Sequence, residues 1–163
     1  MKKVILIWLA IILTLALFAV SASADGGNGE IRVILNGVEL EFDVPPMMID
    51  NNVMIPMRAV FEAVGMEVEW DDNEQEQRII AARIMPATGG VRETRVIIGH
   101  PSASVRYIPL SGYGWGSSFW LDARAQIVNN RTMIPIRVIE ESLRPRNVNW
   151  DDETQTLTIQ FTD

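Results

Sequence analysis

Arg58 and Glu62, and again Arg137 and Glu141, stand four residues apart, the spacing that brings two side chains together on one face of a helix. Such a pair can recognise a charged ligand or fix a helix against its neighbours. It occurs twice, without the further partners a duplicated catalytic site would need. Pro56, Arg58, Glu62 and Trp70, with Pro135, Arg137, Glu141 and Trp150, are therefore read as a structural motif, each tryptophan as a core residue at a strand end. Asp71-Asp72-Asn73-Glu74 offers carboxylates. It lacks the alternating ligand spacing, central glycine and distal bidentate glutamate of a calcium loop, so it reads as a hairpin turn. His100, the single histidine, has no companion ligands nearby in sequence and reads as a surface turn residue. No catalytic residue, metal site or cofactor is expected from these groups.

The segment from Gly112 to Trp120 is the most unusual stretch. No third glycine sits at the dinucleotide-binding spacing and no helical pattern follows. A Gly-x-Ser-x-Gly nucleophile elbow is also missing, and a serine nucleophile would have only His100 as its base. What remains is a flexible loop carrying Tyr113, Trp115, Phe119 and Trp120. Aromatic faces stack on sugar rings and other flat apolar ligands, so these four are the candidate ligand-binding residues. The structural alternative is a long hairpin tip whose aromatics fold back onto the core.

Elements must exist to position these groups, and the first 24 residues supply none. Lys2 and Lys3, the apolar run from Val4 to Val20 and the small residues Ala22-Ser23-Ala24 have the plan of a signal peptide. An uncleaved membrane anchor is the alternative, and the only membrane contact expected. Residues 25–30 then form a flexible polar start. Removing residues 1–24 also removes both lysines, so 12 arginines face 21 acids and the net charge becomes 12 − 21 = −9. So acidic a chain lacks the electrostatic footprint of a nucleic-acid binder and the polybasic clusters that hold proteins on anionic lipid. With no cysteine, disulfides, thiolate chemistry and cysteine-ligated metals are excluded.

The rest of the chain repeats itself. Asn51-Asn52-Val53-Met54-Ile55-Pro56-Met57-Arg58 returns 79 positions later as Asn130-Arg131-Thr132-Met133-Ile134-Pro135-Ile136-Arg137. Asp43 matches Asp122 and Glu62 matches Glu141 at the same offset. After one inserted residue, Trp70-Asp71-Asp72 returns as Trp150-Asp151-Asp152. Ile31 to Leu35 likewise resembles Thr94 to Ile98.

Within the first copy, Ile31, Val33 and Leu35 alternate up to Asn36-Gly37, a type I′ hairpin signal, and Val38, Leu40 and Phe42 alternate on the way back. Met47 to Ile49 and Val53 to Ile55 are short extended runs separated by Asp50-Asn51-Asn52, which tolerate left-handed geometry. Pro56 is suited to the first helical position. Met57, Val60, Phe61 and Val64 then fall on one helical stripe, which Gly65 ends. The second copy places Ile136, Ile139 and Leu143 on its stripe, puts Glu140 where Phe61 stood, and ends at Arg144-Pro145. An α+β fold is predicted: a duplicated β-β-α-β-β unit, about 31–82 and 94–161, with mainly antiparallel strands packed around two short helices.

This series of motifs resembles the copper amine oxidase N-terminal domain family. The residues that carry the resemblance are Asn36-Gly37, Pro45-Pro46, Asn51-Asn52, Ile55-Pro56-Met57-Arg58 and Val68-Glu69-Trp70-Asp71, with Ile134-Pro135-Ile136-Arg137 and Val148-Asn149-Trp150-Asp151 in the second copy. It spans about residues 31–161. The resemblance implies a stalk-like, non-catalytic domain of secreted bacterial proteins, lying away from copper and quinone. It imports no copper chemistry, since one histidine cannot supply the oxidase centre.

The expectation is thus a secreted or cell-surface module acting in envelope adhesion, scaffolding or ligand binding, not an enzyme. Its partner would be wall glycan or another envelope protein. The alternatives are a carboxylate-dependent secreted hydrolase and an inhibitor or assembly partner of another secreted enzyme.

Overall fold

A computed structural model describes residues 30–72 and 76–161. The expected signal peptide, nearly all of the polar start and the turn around residues 73–75 lie outside the described residues. The fold consists of mostly antiparallel β-sheets with two short helices.

Local sequence accounts for the elements of the first half. Strands β1 (Arg32–Leu35) and β2 (Val38–Glu39) are joined by Asn36 and Gly37, with φ of 49° and 82°. Two successive positive φ values define the type I′ turn, whose twist matches that of paired strands. Strands β3 (Met47–Ile49) and β4 (Asn52–Pro56) meet through Asp50 and Asn51, at φ 50° and 61°. Helix α1 (Met57–Ala63) follows at once. Pro56 stands one place earlier than predicted, at the cap and not in the first turn. Met57, Val60 and Phe61 are buried, and Gly65 at φ 76° takes the left-handed conformation that ends the helix.

Strands β5 (Glu67–Asp72), β6 (Gln77–Ile84), β7 (Val91–Ile97), β8 (Ser102–Ile108) and β9 (Trp115–Trp120) form one five-stranded antiparallel sheet in chain order. Then come β10 (Gln126–Val128), β11 (Arg131–Pro135), helix α2 (Ile136–Leu143), β12 (Asn147–Asp151) and β13 (Thr156–Gln160). The second helix buries Val138, Ile139 and Ser142, while Ile136 and Leu143 of the predicted stripe pack on the core half-buried. A charged Glu140 cannot occupy the place of Phe61 without a buried partner, and it is exposed. The helix is turned accordingly. Arg144, at φ 50°, ends it in the left-handed region without a glycine.

The repeated segments lie side by side. In the sheet ordered β10-β11-β4-β3, Ile55 pairs with Ile134, Met54 with Pro135 and Pro56 with Met133. Ile55 thus faces its own counterpart, while Met54 and Pro56 each face the counterpart of the other, as around a local two-fold axis. The helices cross over: α1 packs on β11 and β5, and α2 on β4, β8 and β11. One core cluster joins Val33, Ile55, Phe61, Val96, Ile134, Ile139 and Leu157 from all three sheets.

The two-fold relation breaks at the ends. In the order β12-β13-β1-β2, the last strand runs parallel to the first, Arg32 pairing with Thr156 and Leu35 with Ile159. Its counterparts β6 and β7 pair antiparallel because a short hairpin connects them.

Among the described residues the hydroxyls of Thr94 and Ser142 are fully buried and left unsatisfied. Thr94 is fully buried on β7, and its hydroxyl has no hydrogen-bond partner among the described residues. Thr94→Val keeps the shape and removes the stranded polar atom. It is expected to stabilise the fold by about 1–2 kcal/mol, seen as a higher urea midpoint at unchanged slope. A lowered midpoint would mean that the hydroxyl is satisfied by internal water.

Candidate functional site

Trp115 to Trp120 form an edge strand and not the flexible loop the glycines suggested. The glycines serve close approach. A Cβ on Gly114 would lie 2.6 Å from the carbonyl oxygen of Tyr107, and one on Gly116 2.6 Å from that of Val105. Gly112, at φ 87°, makes the turn that leads in. Side chains then alternate across the sheet. Phe119 packs against the core, while Tyr113, Trp115 and Trp120 are 90%, 66% and 72% exposed. Three of the four expected aromatics thus face solvent, and Trp115 and Trp120 stand on opposite faces of β9. Trp115 rests against Tyr107, its cross-strand partner, with ring centroids 4.6 Å apart and planes tilted by 52°. The Tyr107 hydroxyl donates to Thr88 Oγ1 at 2.7 Å, which fixes the ring.

The motif residues line two clefts. The first, of about 290 Å³, is bounded by Pro56, Met57, Arg58 and Trp70 from the first copy and by Ile127, Asn130, Arg131 and Thr132 from the second. The second, of about 530 Å³, reverses the contributions: Pro135, Ile136, Arg137 and Trp150 face Met48, Asn51, Asn52 and Val53. Sequence reasoning treated these residues as architecture. No local signal could show that the helix start of one copy meets the turn of the other.

Trp70 is 39% exposed in the first cleft and is not a core residue; Trp150 packs partly against the core beside the second. Arg58 donates to Glu62 at 2.9 Å and to the Val68 carbonyl at 2.7 Å, tying α1 to β5. Arg137 reaches Glu141 at 3.4 Å.

The charge of the clefts has diverged. Among the described residues, two arginines and no acid line the first, whereas Asp122, Glu140 and Asp152 join Arg137 around the second. Arg131 also pairs with Asp43, and its guanidinium holds that carboxyl below the usual range. Asn52 occupies the matching position in the first copy, so Asp122 has no such partner among the described residues.

Elsewhere, Asp151 accepts backbone N–H groups of Thr154 and Glu153 in the final hairpin, and these bonds lower its pKa. His100 lies exposed in the β7–β8 turn beside Ser102. Among the described residues, no group of three or more histidine and acidic side chains stands close enough to hold a metal ion, and no helix is long and apolar enough to cross a membrane.

A model of the copper amine oxidase N-terminal domain matches residues 34–159. The chain belongs to that family. Neither a curated protein nor a solved structure matches it. The copper amine oxidase N-terminal domain is non-catalytic, consistent with a non-enzymatic module. In this copper amine oxidase N-terminal domain the repeated motifs line the two clefts, and Trp115 and Trp120 project from opposite faces of the edge strand β9, with Tyr113 exposed just before it.

Proposed function

We propose that this chain is an exported, non-catalytic binding module of the cell envelope, which holds wall glycan through the aromatic edge strand. A signal peptide over residues 1–24, cleaved before Asp25, delivers it to the surface. The observation that carries the reading is the exposure of Trp115 on the edge strand β9, where it rests against Tyr107, with Tyr113 exposed in the segment that leads in. Exposed aromatics on an ordered scaffold offer stacking area at little entropic cost. The acidity of the chain favours stacking and local hydrogen bonds over general charge attraction.

We further read the two halves as one duplicated β-β-α-β-β unit, about 31–82 and 94–161. Support comes from the Ile55–Ile134 register and from the reciprocal lining of the two clefts.

The test is a pull-down of the exported protein on purified cell-wall sacculi. Trp115→Ala is expected to weaken retention about tenfold or more, and Trp120→Ala runs beside it as the opposite-face control. Phe119 is left intact because it packs on the core. Failure of the folded protein to bind would remove the glycan and leave another envelope protein as partner.

Asp122, Glu140 and Asp152 around the second cleft keep a carboxylate hydrolase as the alternative. Release of reducing ends from the same sacculi, abolished by Glu140→Gln, would favour it.

A further inference from the structure

One row across the five-stranded sheet combines two cations with two aromatics. Arg83 pairs with Arg92, Arg92 with Tyr107 and Tyr107 with Trp115, so four directly opposed side chains share one face. At a strand spacing of about 4.8 Å the row spans on the order of 14 Å, the length of a short oligosaccharide.

Opposed like charges are destabilising in a sheet, yet among the described residues neither forms an ion pair with an acid. Arg83 donates to the Val64 carbonyl at 3.2 Å, and Arg92 Nε donates to the Ser142 carbonyl at 3.0 Å. Each guanidinium therefore sits at the C-terminal end of a different helix, where unpaired carbonyls favour a cation. Arg144, which ends α2, follows two residues after Ser142, whose carbonyl holds Arg92. Burial together with the charges of Arg144 and Arg83 lowers the Arg92 pKa. Among the described residues, no carboxylate forms an ion pair with Arg83, Arg92 or Arg144.

Three arginines without an ion-pairing acid among the described residues leave positive charge, in an otherwise acidic chain, for something outside it. Carbonyl dipoles hold the cluster in place but carry only partial charge, so an anion arriving there gains Coulomb energy and forked hydrogen bonds. Beside it, Trp115 and the Thr88-anchored Tyr107 present aromatic surface for a sugar ring. Gly90 contributes to that arrangement, since a Cβ there would lie 2.6 Å from the Tyr107 hydroxyl oxygen.

The geometry points to an acidic saccharide as the ligand of this row, its ring on Trp115 and Tyr107 and its carboxylate or phosphate on Arg83, Arg92 and Arg144. The inference rests on the glycan reading and gives it a chemical class.

Calorimetric titration of the exported protein with trigalacturonic acid, glucose 6-phosphate and cellotriose tests it. A charged saccharide is expected to bind at least tenfold tighter than cellotriose, with affinity falling as salt is raised. The first two probes distinguish a carboxylate from a phosphate source. Arg144→Gln removes charge without removing a described protein contact, and Arg83→Gln removes the charge nearest α1. Each is expected to cost about tenfold toward the acidic probes and to leave cellotriose unchanged. Trp115→Ala weakens all saccharide binding.

Equal binding of neutral and acidic probes, insensitive to Arg144→Gln and to salt, would overturn this inference and spare the glycan reading. Absence of binding by any of the three would overturn both.

Discussion

Ile55→Ala and Ile134→Ala are each expected to lower the unfolding free energy by about 2–5 kcal/mol. Both side chains are fully buried, and they face each other at the centre of the β10-β11-β4-β3 sheet. Each strand also runs directly into a helix that packs on the opposite copy. A cavity at this point therefore loosens both halves together. Against a typical total of about 5–15 kcal/mol, either loss is large.

Because the two isoleucines are directly opposed and equally buried, the single costs are expected to agree within about 1 kcal/mol. The double variant is expected to depart from their sum by about 0.5–3 kcal/mol, since the residues touch. Urea denaturation of the four proteins measures all of this. Costs below about 1 kcal/mol, or two well-separated transitions in the wild type, would mean that the halves are not held by this pair.

Phe61→Ala carries the second large effect, a loss of about 3–5 kcal/mol. Phe61 is among the largest fully buried side chains and sits on the stripe by which α1 meets the core. Its counterpart Glu140 is exposed on α2, so Glu140→Ala is expected to change stability by no more than about 0.5 kcal/mol. Measured side by side, the two substitutions test whether equivalent positions have taken different structural roles. Similar costs at both would contradict the turned packing of α2.

Much of this was legible in the residues. Asn36-Gly37 announced its turn because only a few residue types tolerate two successive positive φ values. Met57, Val60 and Phe61 announced their buried stripe through helical spacing. The edge strand β9 was misread because glycine signals flexibility and close approach alike. Only the position of Val105 and Tyr107 beneath Gly116 and Gly114 shows which applies. Chemical type alone points Trp70 to the core, yet it lines a cleft at the margin of the five-stranded sheet. Arg83 and Arg92 drew no attention at all, since arginines nine residues apart form no motif until a hairpin sets them opposite each other.

The family, the Asn36-Gly37 turn, the two helices to within a residue of their starts and the twinned motifs are legible in the residues alone. These depend on dihedral preference, side-chain period and residue identity over short spans. The tertiary structure alone decided that β13 lies parallel to β1, that each cleft draws on both copies, and that Glu140 turns α2 away from the pattern of α1. Those outcomes follow from which buried surfaces fit across long stretches of chain, and from the cost of burying a charge, neither of which any local window contains.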